Sequence, residues 1–131
     1  MTSLTLITNV KVQDPAVALI PALCLFAART MKTAGQGPLT VGYKYNETLC
    51  FGGTFEPAFH LTISRPGISK EALQVESYTS AFNEFLEHTL GVPRSRGYIS
   101  FLEAQAKGSG GLSASTISQE SRPKYKLLVG Q

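Results

Sequence analysis

The sequence of 131 residues contains no tryptophan, only two cysteines and no run of about twenty apolar residues that could form a membrane span. It also lacks a basic start followed by a long apolar stretch, so we expect neither a transmembrane helix nor a signal peptide. The two cysteines, Cys24 and Cys50, form no CxxC pair, which argues against a disulfide framework and a zinc site. We interpret both as small core residues.

Charge of either sign is also sparse. Twelve basic and nine acidic residues give a net charge of +3, so the dense basic face of a nucleic-acid-binding protein is not expected. Hydrophobic residues make up 43%, which is enough for one compact core and excludes a disordered chain. His60 and His88 lack metal-ligand spacing, and we interpret His60 as packed or interfacial and His88 as solvated. We therefore expect no metal, no cofactor, no nucleic acid and no membrane partner.

Hydrophobic periodicity predicts six elements. Alternating patterns predict strands, and 3.6-residue patterns predict helices, over residues 3–10 (strand), 16–33 (helix), 39–45 (strand), 58–64 (strand), 69–90 (helix) and 98–103 (strand). Asp14 before Pro15 predicts an N-cap and a proline in the first turn. Pro21 predicts a kink or a late helix start. Ser69 is predicted to cap the second helix, and Gly91 to end it.

The order strand, helix, strand occurs twice, which predicts an α+β fold of two β-α-β repeats. Each helix is long enough to connect two parallel strands of one sheet. The predicted architecture is a four-stranded mixed sheet with two helices on one face. The other face of such a sheet needs a cover, and oligomerisation is the natural solution.

Three segments resemble the macrophage migration inhibitory factor family of the tautomerase superfamily, most closely its fungal and plant members. They are TNVKV at 8–12, YNETLCFGGTFEPAF at 45–59 and LGVPRSRGYISF at 90–101. The resemblance covers a domain over residues 1–117 and leaves a C-terminal extension over 118–131. It implies a homotrimer with a barrel-like core and active sites at the subunit interfaces. It also implies keto-enol tautomerisation of phenylpyruvate-like and dopachrome-like compounds.

The resemblance implies that the catalytic base is an N-terminal proline, exposed when the initiator methionine is removed. Here Thr2 follows Met1, so the secondary amine is missing. Our first hypothesis is an inactive or very weak tautomerase homologue. The second is an active tautomerase, or another proton-transfer enzyme, that uses the Thr2 amine, whose reference pKa is about 7.7–8.0. A third, a cytokine-like protein-binding trimer, rests on kinship alone.

The resemblance also implies substrate-binding positions on two strands and one helix end. Lys32 lies near the family's carboxylate-binding lysine, or it is a cation that the helix dipole favours. Arg65, followed by Pro66, lies where relatives bind substrate through the backbone, and it is either a carboxylate anchor or a solvated strand-end charge. Tyr98 matches an interface tyrosine that reaches the neighbouring subunit's pocket. Ser100 stands where mammalian relatives have asparagine.

The C-terminal wall of the implied pocket differs most from the family. Leu112 and Ile117 replace an aromatic pair that lies over the substrate in relatives, so stacking on an aromatic ligand is weakened. The expected partners are the chain itself and a small aromatic or carboxylate-bearing ligand. A cytoplasmic location is expected, with leaderless secretion as the alternative.

Overall fold

The predicted sheet of four main strands is present in a computed structural model, which describes residues 1–33 and 37–104 and the backbone of 115–116. The strands are β1 (Thr2–Thr8), β2 (Leu39–Tyr45), β3 (Phe59–Arg65), β4 (Gly97–Glu103) and a two-residue addition, β5 (Ser115–Thr116). Their order is β2-β1-β3-β4-β5. β1 pairs with β2, and β3 with β4, in parallel, whereas β1 and β3 are antiparallel. Two β-α-β units thus join at the centre of the sheet.

The first helical segment is split near Pro21. Helix α1 (Pro15–Ala18) is followed by α2 (Ile20–Met31), and Pro21 lies in the first turn of α2, where a backbone donor is not needed. The predicted late helix start is therefore confirmed. Asp14 occupies the N-cap position and α1 begins at Pro15, as predicted, but Asp14 has a left-handed backbone with φ of 58° and its side chain makes no capping hydrogen bond.

The second helix begins later than predicted. A 3-10 turn (Ile68–Glu71) precedes α3 (Ala72–Leu90). Ser69 lies in this turn and does not cap α3, and its N–H donates to Glu103 Oε1 at 2.9 Å. Gly91 ends α3, as predicted, with φ of 75°, a left-handed conformation that favours glycine.

Side chains determine where β1 ends and β3 begins. β1 ends at Thr8, two residues earlier than predicted, because Thr8 Oγ1 accepts the Val10 N–H at 3.1 Å and donates to the Ala58 carbonyl at 2.7 Å. β3 begins at Phe59 because the Ala58 N–H donates to Asn9 Oδ1 at 2.9 Å. In both places a side chain provides the hydrogen bond that a longer ladder would supply.

The core lies between the sheet and the helices. Alternate strand residues face the apolar stripes of α2 and α3, and the fully buried members include Leu4, Leu6, Leu23, Ala27, Leu61, Ile63, Phe82, Leu86 and Phe101. The other sheet face carries the intervening residues, and half of them have short hydroxyl side chains: Ser3, Thr5, Thr40, Thr62, Ser64 and Ser100. Cys24 is half-buried and Cys50 is exposed in the loop between β2 and β3, so the assignment of Cys50 to the core is wrong. Among the described helices, none is long and apolar enough to cross a membrane.

Candidate functional site

Thr2 lies at the start of β1 and is almost completely buried. Its exposed fraction is 2%, whereas that of Met1 is 57%. The Thr2 N–H donates to the Pro38 carbonyl at 3.3 Å. The antiparallel register pairs Ser3 with Ser64, so Thr2 and Arg65 are the next residues along β1 and β3. The position of the implied catalytic residue is therefore at the same end of the sheet as Arg65.

Arg65 is buried, with an exposed fraction of 4%, so the alternative of a solvated strand-end charge is wrong. Its Nη1 lies 3.4 Å from Glu71 Oε1. Tyr78 donates from its hydroxyl to the same oxygen at 2.7 Å. Burial, the hydrogen bond to Glu71 and the Glu71 charge raise the pKa of the Tyr78 phenol, and Arg65 partly opposes this rise. The phenol therefore stays protonated and acts as a donor at neutral pH.

These three side chains line an open pocket of about 500 Å³ between α2 and α3. Its lining also includes residues from the end of α2 and the first turns of α3. The described lining residues are Thr30, Met31, Lys32, Arg65, Lys70, Glu71, Gln74, Ser77 and Tyr78. The structure thus brings together two cations that sequence analysis singled out, Lys32 and Arg65.

Lys32 follows α2 directly. Its backbone is left-handed, with φ of 53°, and its N–H donates to the Ala28 carbonyl, so the residue forms the C-cap of the helix. The side chain is exposed at the pocket rim. Both interpretations of Lys32, a carboxylate-binding group and a cation at a helix C-terminus, agree with this position. Pro66 is half-buried in the turn after β3.

Tyr98 and Ser100 lie on β4, on the sheet face opposite the helices. The Tyr98 ring is 4.8 Å from the His60 ring, and Ser100 Oγ is 3.2 Å from His60 Nε2. Burial raises the pKa of Tyr98. Within one chain, these residues are therefore separated by the sheet from the pocket that contains Arg65. His60 is packed, as expected, and His88 is exposed, as expected.

The sequence model of the macrophage migration inhibitory factor (MIF) family matches residues 1–118. The chain belongs to this family. The match spans every main element of the sheet and all three helices, so the fold and the predicted family are confirmed.

Solved MIF structures share this fold. The MIF of Trichinella spiralis matches with a TM-score of 0.72 at 24% identity, over 87% of this chain and 98% of that chain. The MIF homologue of Prochlorococcus marinus gives 0.66 at 20% identity, over 88% and 98%. The MIF of Toxoplasma gondii gives 0.63 at 23% identity, over 86% and 98%. A comparison with curated protein sequences found no match.

Two of the residues singled out in this MIF family member, Leu112 and Ile117, lie outside the described residues. The contact between Glu71 and Tyr78 was not predicted from the sequence. Their spacing of seven residues is two turns of an α-helix, so the predicted helix over 69–90 would carry both on one face. A buried tyrosine needs a partner for its hydroxyl, and that requirement was the available signal.

Within the described chain, no group of three or more His, Cys, Asp or Glu residues is arranged to hold a metal ion.

Proposed function

We propose that this MIF family member is an inactive or very weak catalyst of keto-enol tautomerisation of phenylpyruvate-like compounds. The proposal rests on the identity and the hydrogen bonding of residue 2. Threonine replaces the family's proline there, and the Thr2 nitrogen is a backbone amide that donates to Pro38. An amide nitrogen has no available lone pair for a proton, so the general base of the family reaction is absent while Met1 is attached.

The second candidate, proton transfer by a free Thr2 amine, is favoured by the burial of Thr2. If Met1 is removed, a primary amine lies at a position that is 2% exposed in the intact chain. Burial disfavours the charged form and lowers the pKa of an amine below its reference value of about 7.7–8.0. A neutral amine able to accept a proton would then exist at pH 7.

The test compares forms that differ only at the N-terminus. The chain is prepared as expressed, with intact mass spectrometry to establish whether Met1 is present. Three further samples are made with a cleavable leader that leaves residue 2 first: the unmodified chain, Thr2→Pro and Thr2→Ala. Phenylpyruvate tautomerisation is measured on all four. Thr2→Ala is the matched control, since it keeps a primary amine and removes only the hydroxyl and a methyl group.

We expect activity in Thr2→Pro and rates lower by about 10²–10⁴-fold, the usual contribution of a general base, in the other three samples. That result means that the remaining pocket is competent and lacks only its base. A trimmed unmodified chain that equals Thr2→Pro would overturn the proposal in favour of the Thr2 amine. Activity of the Met1-bearing chain at that level would exclude any role for residue 2.

We further propose that Lys32 or Arg65 holds the carboxylate of such a ligand, with Pro66 beside it. Arg65 is supported by its burial and by its position at the end of β3, the strand that pairs with β1. A planar guanidinium binds a carboxylate through two parallel hydrogen bonds, which an ammonium group cannot do. In the Thr2→Pro background, Lys32→Ala should raise KM if Lys32 is the anchor. An unchanged KM in that variant would leave Arg65 as the anchor.

We also propose a homotrimer, in which Tyr98 and Ser100 of one chain approach the pocket of its neighbour. Support comes from the sheet face that carries them, where Ile7, Tyr98 and Leu102 are only half-buried in a single chain. Light scattering should give three times the chain mass of 14.1 kDa. A mass of one chain at micromolar concentration would contradict the proposal.

A further inference from the structure

Glu103, the last residue of β4, binds the segment that connects β3 to α3 (residues 66–71). Its Oε2 accepts the Gly67 N–H at 2.6 Å, and its Oε1 accepts the Ser69 N–H at 2.9 Å. Gly67 has φ of 85°, and its carbonyl accepts the Lys70 N–H at 2.9 Å, so the amides that Glu103 binds belong to a tight turn. Hydrogen bonds from amides to an ionised carboxylate are stronger than bonds between neutral groups, so Glu103 fixes this turn on the sheet.

The carboxylate of Glu103 is ionised at neutral pH. Burial acts to raise the pKa of Glu103, but the Gly67 and Ser69 amides and the charge of Lys70 outweigh this effect and hold the pKa below 4.5. Both bonds to the turn therefore have a charged acceptor under the conditions in which a ligand would bind.

The connecting segment ends in Glu71, which contacts two other residues of the pocket. Glu71 Oε1 lies 3.4 Å from Arg65 Nη1 and accepts the Tyr78 hydroxyl at 2.7 Å. Lys70, from the same segment, also lines the pocket, whereas Glu103 is not among the described lining residues. A change at Glu103 therefore reaches the pocket through the connecting segment and not through contact with a ligand.

β3 and β4 end side by side beneath the connecting segment. The parallel register pairs Arg65 with Glu103, and the Ala104 N–H donates to the Arg65 carbonyl at 3.3 Å. Paired residues of adjacent strands lie on the same face of a sheet, so both side chains reach the same segment, Arg65 at Glu71 and Glu103 at the turn before it. The place of Glu71 beside the Arg65 guanidinium thus depends on how Glu103 holds the turn.

We propose that Glu103 is a positioning residue for the ligand site, because its carboxylate fixes the connecting segment and, through Glu71, the orientation of Arg65 and Tyr78 in the pocket. This inference rests on the proposed function only for the identity of the ligand, phenylpyruvate or a related compound. A misplacement of about 1 Å in a site can cost about 10²-fold in rate, so a residue outside the pocket can control what the pocket does.

The first measurement needs neither a ligand nor turnover. At about pH 7, the NMR signal of the Tyr78 ring carbon that bears the hydroxyl, assigned with Tyr78→Phe, reports the hydrogen bond to Glu71. Glu71→Gln replaces the charged acceptor with a neutral one, which weakens the bond and defines the direction of the shift. Glu103→Gln should shift the signal in the same direction by a smaller amount. In the Glu71→Gln background it should add no further shift, because its effect acts through Glu71.

Two further variants separate geometry from charge. Glu103→Asp keeps the charge and shortens the side chain by about 1.5 Å, so the two bonds to the turn cannot both persist. It should therefore also shift the Tyr78 signal, and it provides the test if Glu103→Gln does not fold. Glu84→Gln is the matched control, because Glu84 is exposed on α3 and is not among the described pocket residues. It should leave the signal unchanged.

The second measurement is the affinity for phenylpyruvate. In the trimmed Thr2→Pro chain, Glu103→Gln should raise KM about tenfold and change kcat by less than about twofold, the pattern expected when binding is lost equally from substrate and transition state. Glu84→Gln should change neither constant. Absence of turnover in the trimmed Thr2→Pro chain would contradict the proposed function, and the Tyr78 signal would then decide this inference alone.

Three results would overturn the inference. The first is a Tyr78 signal that stays in place in the folded Glu103 variants. The second is an equal shift from Glu103→Gln with and without Glu71→Gln, which would reveal a direct effect of charge. The third is a shifted signal together with an unchanged KM in an active Thr2→Pro chain, which would mean that Glu103 holds the segment without positioning the ligand site.

Discussion

His60 Nε2 lies 3.2 Å from Ser100 Oγ on the neighbouring strand, on the sheet face opposite the helices. Ser100 is 2% exposed, so this hydrogen bond is shielded from water. Burial lowers the pKa of His60 below 6.5, because desolvation disfavours the charged ring. A neutral imidazole is therefore built into the centre of the sheet, and its protonation is coupled to folding.

The first prediction is that stability falls with decreasing pH because of His60. In the unfolded chain the imidazole titrates near 6.5, and in the folded chain it titrates lower. Between these values the unfolded state binds more protons than the folded state. The free energy of unfolding therefore has its full value above pH 6.5 and decreases as the pH falls below 6.5. Below the folded pKa the loss levels off. Urea unfolding between about pH 8 and pH 5.5, at one protein concentration, measures this decrease.

His60→Gln should remove this decrease, since an amide can bond to Ser100 without titrating. His88→Gln is the matched control and should retain it, because His88 is exposed at the end of α3. The carboxyl of Glu103 does not interfere. It accepts hydrogen bonds from the Gly67 and Ser69 amides, which hold its pKa below 4.5 against the opposing effect of burial. An identical decrease in His60→Gln and the unmodified chain would refute the assignment.

The type and order of the main helices and strands could be predicted because the spacing of apolar residues along the sequence indicates which face of each element is buried. The predicted bounds are wrong where the side chain of a residue distant in sequence forms a hydrogen bond with a backbone group. Asn9 ends the ladder at Ala58, and Glu103 accepts the Ser69 N–H that was expected to belong to a helix start. Such bonds join residues 34 to 49 positions apart. No local pattern contains them.

The site was less predictable than the fold, and Arg65 shows why. A residue at the end of a strand is buried or solvated according to what the next helix places over it. Here the 3-10 turn and α3 bring Glu71 and Tyr78 to the guanidinium. The sequence contained both residues, but only the packing of α3 on the sheet relates them to Arg65. The separation of Tyr98 from the pocket within one chain likewise depends on strand register.

The second prediction concerns Gly97, where β4 passes close to the ring of Phe59. The backbone of Gly97 is ordinary extended chain, with φ of −117°. A methyl group at this position would overlap the fully buried Phe59 ring. Gly97→Ala should therefore lower the free energy of unfolding by about 1–3 kcal/mol, the usual cost of overpacking. Thermal or urea unfolding measures the change.

Gly42→Ala is the control for Gly97→Ala, because an added methyl on β2 meets nothing within 4 Å. Its effect should stay within about 0.5 kcal/mol. Phe59→Leu combined with Gly97→Ala should cost less than the sum of the two single changes, since the smaller side chain makes room for the methyl group. Additive costs would show that the ring is not what excludes a side chain at Gly97.

The third prediction concerns the buried hydroxyl of Thr8. It donates to the Ala58 carbonyl at 2.7 Å and accepts the Val10 N–H at 3.1 Å. Thr8→Val keeps the shape and leaves both backbone groups without this partner, at a cost of about 1–3 kcal/mol. Thr5→Val makes the same change on the exposed face of the strand and should alter stability by at most about 0.5 kcal/mol. Equal effects in urea unfolding would contradict the role of the hydroxyl.

The last prediction concerns Asn9, whose side chain holds the loop between β2 and β3. Its Nδ2 donates to the carbonyls of Leu49, Phe55 and Glu56 at 3.2, 3.1 and 3.0 Å. Its Oδ1 accepts the Ala58 N–H at 2.9 Å. Asn9→Asp keeps the acceptor but replaces the donor with a negative oxygen opposite three carbonyl oxygens. Near pH 7 it should cost about 1–3 kcal/mol in urea unfolding and increase protease cleavage in the loop.

The pH dependence of Asn9→Asp separates this mechanism from a general loss of packing. As the pH falls towards about 4 the aspartate becomes protonated and regains one O–H donor, so its deficit relative to the unmodified chain should shrink. The folded pKa of the new carboxyl is raised by the facing carbonyls, so recovery begins above the unfolded value and is complete below it. Asn9→Ala has no such group, and its deficit should not vary with pH. A constant deficit in both variants would show that the amide donor does not hold the loop.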